Sequence, residues 1–220
     1  MGTTAVRVLG PADAAPAAEA LARGFDHEPA KLGLLPDPAA RRLVLELAAR
    51  NRLYDALRYG TVHGAVTAGE LAAVAVWTPP GVRAVSVAGV LRAVARAVGN
   101  LRPLVAAGRP IVSVLRSDLA GAATMVRQRH RAVVRASRGT TWTLSLLATV
   151  PEHRGKGLAR SLLERQLRRC DEDRAAVWLE TTDPANLPFY ERFGFELVAA
   201  IDPPDWLPGL WVMRRDPLRP

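Results

Sequence analysis

Arg154-Gly155-Lys156-Gly157-Leu158-Ala159 sets two glycines and two cations directly before an amphipathic stretch. A β-branched and apolar run leads into it through Pro151, so the pattern predicts a strand, a Gly-rich turn and a helix. Backbone N–H groups at a helix start have no partner inside the helix, and the positive end of its dipole lies behind them. Glycines let that backbone approach a ligand closely. The chemistry expected of such a loop is capture of a phosphate or diphosphate. A P-loop would need a hydroxyl after Gly-Lys, but Gly157 follows Lys156. A dinucleotide fingerprint would need a third glycine where Arg160 stands. Glu180 imitates its ribose-binding acid, but sixty-three residues after Gly157 are too few for the rest of a doubly wound sheet. A third pattern, Arg/Gln-x-x-Gly-x-Gly/Ala, is met by Arg154, Gly157 and Ala159.

A second constellation follows. Val177-Trp178-Leu179-Glu180-Thr181-Thr182 reads as a strand with a carboxylate near its end. Asn186-Leu187-Pro188-Phe189-Tyr190-Glu191-Arg192-Phe193-Gly194-Phe195 comes next. Over Trp142–Phe195 the chain resembles the GCN5-related N-acetyltransferases (GNAT). Arg154–Ala159 is similar to their coenzyme A pyrophosphate loop, and N-x-x-x-Y-E-x-x-G-F to their second signature. Ala75–Pro79 and Leu210–Met213 extend the likeness more loosely, toward the puromycin N-acetyltransferase branch.

The resemblance implies an α/β fold: a mixed, mostly antiparallel twisted central sheet flanked by helices, the acyl-CoA N-acyltransferase fold. It implies acetyl-CoA as cofactor and the primary amine of a small molecule, such as an antibiotic or other amino compound, as acceptor. In that reading the backbone of Leu147, Ala148 and Thr149 pairs with the pantetheine amides. Arg154, Gly155, Lys156, Gly157, Leu158 and Ala159 hold the diphosphate, Asn186 touches the cofactor, and Tyr190 sits by its sulfur. Asp183 stands seven residues before Tyr190, where many members have Asn, which leaves Asn186 as the contact expected there.

A phenol fixed near a departing thiolate can act as general acid, the role expected of Tyr190. Glu180 has two readings: a group that deprotonates or holds an amine, and a structural ion pair with one of many arginines. His130, Trp77 and Trp142 are candidates for lining an acceptor pocket, against an exposed helical histidine and two core tryptophans. Cys170 lies on an apolar helix face with no histidine nearby, which predicts packing rather than an acyl-enzyme. The four histidines show no metal-ligand spacing with one another or with Cys170, so no metal is expected.

Composition narrows the classes. The chain has 220 residues, of which 49% are apolar, enough for one well-cored domain and short for two. Neither a membrane span nor a secretory leader nor a myristoylation site is recognisable. One cysteine excludes an intramolecular disulfide and fits a reducing cytosol, so the expected location is cytoplasmic. The net charge of +9 is carried almost entirely by arginine spread over several helices, without a nucleic-acid-binding motif. It reads as a solvated surface plus a site for an anionic cofactor, with neither nucleic acid nor membrane as partner. The expected assembly is a monomer or homodimer. Acetylation of a peptide amine, a non-catalytic acyl-CoA-binding protein and a nucleotide-binding oxidoreductase are the rival readings.

Several elements must position these groups. Residues 3–9 read as an edge strand, followed by a helix to about Phe25 and a second over Pro38–Arg58, with Arg41, Arg42, Arg50 and Arg52 mostly on its outer face. Val62–Thr67 and Glu70–Trp77 form a hairpin around Ala68-Gly69. Residues 84–138 are helical in pattern, with one helix over about 84–107, a break at Pro110 and another over about 118–137. This insertion precedes the cofactor strand, Trp142–Thr149, and is either a lid over the acceptor or a helical pair packed on the sheet. The helix Lys156–Cys170, strand Ala176–Thr181, short helix Pro184–Arg192 and strands Phe195–Ile201 and Gly209–Arg214 complete a single domain.

Overall fold

Side chains alternate across a strand, so a strand covered on both faces reads as a nearly continuous apolar run. Glu70–Thr78 is such a strand: Ala73, Ala75 and Trp77 enter one buried cluster, while Val74 and Val76 enter another. A computed structural model describes residues 4–59, 61–82, 119–202 and 208–218. Its strands are Thr4–Val8 (β1), Val62–Thr67 (β2), Glu70–Thr78 (β3), Thr141–Thr149 (β4), Ala176–Thr181 (β5), Glu196–Ile201 (β6) and Leu210–Arg215 (β7). They form one seven-stranded sheet in the order β1-β2-β3-β4-β5-β7-β6. Every neighbouring pair is antiparallel except β4–β5, which is parallel. The sheet is therefore mixed and mostly antiparallel, as expected.

The described helices are Ala14–Phe25 (α1), Pro29–Leu34 (α2), Pro38–Arg58 (α3), Leu119–Ala136 (α4), Leu158–Glu172 (α5) and Leu187–Glu191 (α6). Leu21, Leu53 and Leu57 of α1 and α3 pack with Val62, Val74 and Val76 on one face of the sheet. Ala132 and Ala136 of α4 continue that face against Trp178 and Val212. Leu162, Leu163, Leu167 and Cys170 of α5 cover the other face over Trp77, Leu144 and Val177. The helix expected over 84–107 and the break at Pro110 lie outside the described residues.

α3 begins where the sequence places it, because Pro38 suits a first turn and the Asp37 carboxylate accepts from the Ala40 N–H at 2.7 Å. Arg41 departs from its expected outer face. It is buried, its Nε donating to Asp26 at 2.9 Å and its Nη1 to the Leu35 carbonyl at 2.8 Å. The chain between α1 and α3, which includes the unexpected α2, carries both acceptors back onto it.

Arg215, on β7, is buried and grips both oxygens of Asp171 at 2.7 and 2.8 Å, while its Nε donates to the Phe193 carbonyl at 2.8 Å. This ties the end of α5 to the turn that follows α6. Burial is the largest influence and would push the Asp171 carboxyl up, but the Arg215 hydrogen bonds, the Leu218 N–H and the Arg215 charge together outweigh it and hold the pKa below its ordinary value. Such a group stabilises the fold above its unfolded pKa and loses that contribution as pH falls through the folded value. Asp171→Asn is expected to cost about 1.5–3 kcal/mol at neutral pH in urea unfolding. The gap to wild type should close on acidification; an unchanged midpoint at neutral pH would remove this contact from the account.

Candidate active site

β4 and β5 pair from Thr141 opposite Ala176 to Leu144 opposite Leu179, and no further. On its other edge β4 carries one extra residue: Val76 faces Leu146 and Trp77 faces Leu144, leaving Ser145 between them. Its hydroxyl shares a 2.7 Å hydrogen bond with that of Thr78. A bulge bends a strand and increases its twist, and β4 leaves β5 at this point. Glu180 and Thr181 stay with β7, opposite Val212 and Trp211. The edge of residues 145–149 that faces β5 therefore has no strand partner among the described residues. Buried backbone donors and acceptors need partners, and a ligand with amides laid along this edge would supply them as an added strand.

A cavity of about 1100 Å³ occupies the gap, lined among others by Leu147, Ala148, Thr149, Gly155, Gly157, Asn186 and Tyr190. At its far end Gly155 and Gly157 have φ of 73° and 76°, the left-handed region that favours glycine. A Cβ on either would meet nothing within 4 Å, so the space before the loop is open. Gly157 caps α5, whose first turn holds no acidic residue to satisfy its N–H groups. Leu158 is buried beneath the loop and Ala159 lines the cavity.

The two cations of the loop serve it partly from the side. Arg154 donates to the Gly24 carbonyl at 2.8 Å and to the Thr149 carbonyl at 3.4 Å, tying the loop to α1 and to the end of β4. Lys156 donates to the Glu152 carbonyl at 3.0 Å. Gly24, which sequence reasoning missed, lets α1 press on β4: a Cβ there would lie 2.6 Å from that of Ala148. Its only sequence signal is a glycine inside an amphipathic helix.

Asn186 donates to the Thr181 hydroxyl at 3.3 Å. Asp183 accepts from the Ala185 N–H at 3.0 Å and so caps the turn before α6. Tyr190 is buried, packed edge-on against Phe189 and Phe195 at centroid distances of 5.3 and 5.8 Å. Its hydroxyl makes no hydrogen bond to a described residue. Burial, and to a lesser degree the Glu28 carboxylate, push its pKa above the ordinary value, so it stays a neutral phenol.

Glu180 points to the sheet face shared by α3 and α4, because its neighbours Val177 and Leu179 alternate toward α5. Its Oε2 accepts from Nη2 of Arg129, on α4, at 2.7 Å. Its Oε1 is buried and has no partner among the described residues. Arg52, on α3, lines the same part of the cavity. The pKa of Arg52 is lowered by burial first and then by Arg129, with Glu180 acting the other way, so three charges meet here. One oxygen of Glu180 is thus in an ion pair, and the other is buried without a partner among the described residues.

Three residues weighed for the acceptor stand elsewhere. Trp77 is fully buried and Trp142 nearly so, both in the cluster under α5, and neither lines the cavity. The parity of their strands turns them to the wrong face. His130 is exposed on α4 and does not line the cavity; its neighbour Arg129 is the residue that reaches Glu180. Glu28 also escaped sequence reasoning. It accepts a hydrogen bond from Thr182 and pairs with Lys31 at 3.6 Å, closing the chain after α1 over the end of β5. Burial pushes the Cys170 thiol up to about 11, which suits packing rather than nucleophilic attack. No group of three or more metal-ligating side chains occurs among the described residues.

Residues 87–198, half of the chain, match the family model described as acetyltransferase (GNAT) domain. The fold is similar to that of a Corynebacterium glutamicum protein described as histone acetyltransferase HPA2 and related acetyltransferase. That likeness has 19% identity, 100% of this chain, 99% of that one and a TM-score of 0.63. The polyamine N-acetyltransferase of Drosophila melanogaster is similar at 16% identity over 97% of this chain and 100% of that one, with a TM-score of 0.52. The ribosomal-protein-S18-alanine N-acetyltransferase of Escherichia coli matches at 15% identity over 99% and 97%, with a TM-score of 0.52. These structures share the fold over nearly their whole length, and the family match contains both signature stretches: the chain belongs to the GNAT family of acetyltransferases.

Proposed function

We propose that the protein is an acetyl-CoA-dependent N-acetyltransferase that moves the acetyl group to a primary amine of a small molecule by direct attack. The observation that carries this reading is the gap between β4 and β5. It offers an unpaired backbone edge that leads to an open, anion-seeking helix start, with a carboxylate and a phenol beside it. These residues fit the donor. Leu147, Ala148 and Thr149 would pair with its amides, the Gly155–Ala159 loop and the first turn of α5 would hold its diphosphate, and Asn186 would contact it near α6. The donor supplies an activated acyl group on a thiol leaving group.

The chain's own residues do the rest. Backbone N–H groups of β4 polarise the carbonyl under attack, an oxyanion-type contribution. Oε1 of Glu180, buried and without a partner among the described residues, holds the ammonium and takes its proton, directly or through water. Tyr190 donates a hydrogen bond to the departing sulfur. Cys170 takes no part, in keeping with transfer in one step. We place the protein in the cytoplasm, acting as monomer or homodimer; the buried thiol supports a reducing compartment, and no described helix is long and apolar enough to cross a membrane.

Calorimetric titration with acetyl-CoA tests the reading at its base. Saturable binding at one site per chain is expected. Absence of binding heat, or equal binding of NAD, would overturn it.

A further inference from the structure

Two oxygens of one carboxylate do different things in the acceptor part of the cavity. Glu180 Oε1 is buried and unpartnered among the described residues, while Oε2 is held by Arg129. Arg129 is not among the residues lining the cavity, but its half-exposed guanidinium lies against Glu180, which is. It gives Nη2 to Glu180, and its Nε–H and Nη1–H make no hydrogen bond to a described residue. Arg52 adds a second positive charge from α3, on the same sheet face, near enough to act on Arg129 and Glu180. Two guanidinium groups thus lie near one carboxylate, Arg129 paired with it and Arg52 lining the cavity beside it. A second cation on the acceptor would meet repulsion, and an acidic group would meet a planar fork of donors.

Resting on the transferase reading above, we propose that the acceptor is a zwitterionic amino acid, its ammonium on Glu180 Oε1 and its carboxylate on the free donors of Arg129. The two subsites are joined by the 2.7 Å Arg129–Glu180 ion pair, so the two charges of the ligand must lie only a few bonds apart, as in an α-amino acid. Leu45, Ala48 and Ala49 line the cavity on the same side of α3 as Arg52, and provide an apolar surface for a hydrocarbon side chain. This departs from the polyamine acceptor named for the Drosophila structure, since a polyamine would bring extra cations toward Arg52 and Arg129.

The test compares L-phenylalanine, L-phenylalaninamide, phenethylamine and agmatine as acceptors, with free thiol detected at fixed acetyl-CoA. The amide carries a less basic amine, so intrinsic reactivity favours it and a preference for the acid has to come from the site. Wild type is expected to favour phenylalanine over the other three by about tenfold or more in kcat/KM. Arg129→Gln should bring the acid-to-amide ratio near one by raising the KM for the acid, with the acetyl-CoA KM unchanged. Arg129→Lys should restore part of it. Equal or better use of the amide, phenethylamine or agmatine by wild type overturns the proposal and leaves the transferase reading standing. So does an unchanged ratio in Arg129→Gln. Acetyl-CoA binding without thiol release with any amine overturns both.

Discussion

Gly157→Glu is expected to cut coenzyme A affinity sharply while the circular dichroism spectrum stays native. The φ of 76° at this position costs any L-residue about 1–2 kcal/mol, which a domain of this size can absorb. The added side chain meets no steric wall, because an ideal Cβ at residue 157 has nothing within 4 Å. Its carboxylate then projects before the free N–H groups of the first turn of α5. There it competes for the donors that a diphosphate would use and repels that diphosphate. Affinity for coenzyme A should fall by about 10²-fold or more, the size expected for setting like charges together at a binding surface. Gly157→Ala carries the same backbone strain without the charge and should lose far less. Calorimetry that finds unchanged affinity in a natively folded Gly157→Glu protein would remove the loop from the binding site.

Tyr190→Phe should lower kcat by roughly 10²-fold with little change in stability or in acetyl-CoA affinity. The ring packs edge-on against Phe189 and Phe195, contacts that phenylalanine preserves. The hydroxyl has no hydrogen bond to a described residue, so its loss leaves no described partner orphaned. General acid catalysis typically contributes about 10²–10⁴-fold. Two facts favour the lower end. A thiol with a pKa of about 8.5, by analogy with cysteine, leaves tolerably as thiolate. Burial raises the Tyr190 pKa, so full proton transfer to that thiolate runs uphill and the phenol acts mainly through its hydrogen bond. A greater loss of cofactor affinity than of kcat would make Tyr190 a binding residue. Full activity would make it a core residue alone.

What the sequence made legible was local. Arg154–Gly157 is a loop that opens α5 because of its own glycines, and both glycines adopt the left-handed backbone for which they are suited. The adjacent Asp37 and Pro38 start α3. What escaped depends on distant partners. Arg129 and Glu180 are 51 residues apart, and nothing in either segment names the other. Periodicity turned Arg41 outward, yet Asp26 and the Leu35 carbonyl, brought back by the α1–α3 connection, bury it. β3 is apolar on both faces, so its pattern could not say which face Trp77 takes; the sheet decides, and sends it away from the cavity. The extra residue at Ser145, which coincides with the parting of β4 and β5, is likewise invisible in an apolar run.

The claim on which the rest stands is that this site transfers an acetyl group to an amine. The direct measurement is release of free thiol from acetyl-CoA by the wild-type protein across a panel of primary amines, with mass spectrometry of the products. The account predicts thiol release that depends on the amine and matches, mole for mole, an N-acetylated product. Acetyl-CoA that binds but yields no amine-dependent thiol across the panel would contradict it, and would leave a protein that holds acyl-CoA without using it.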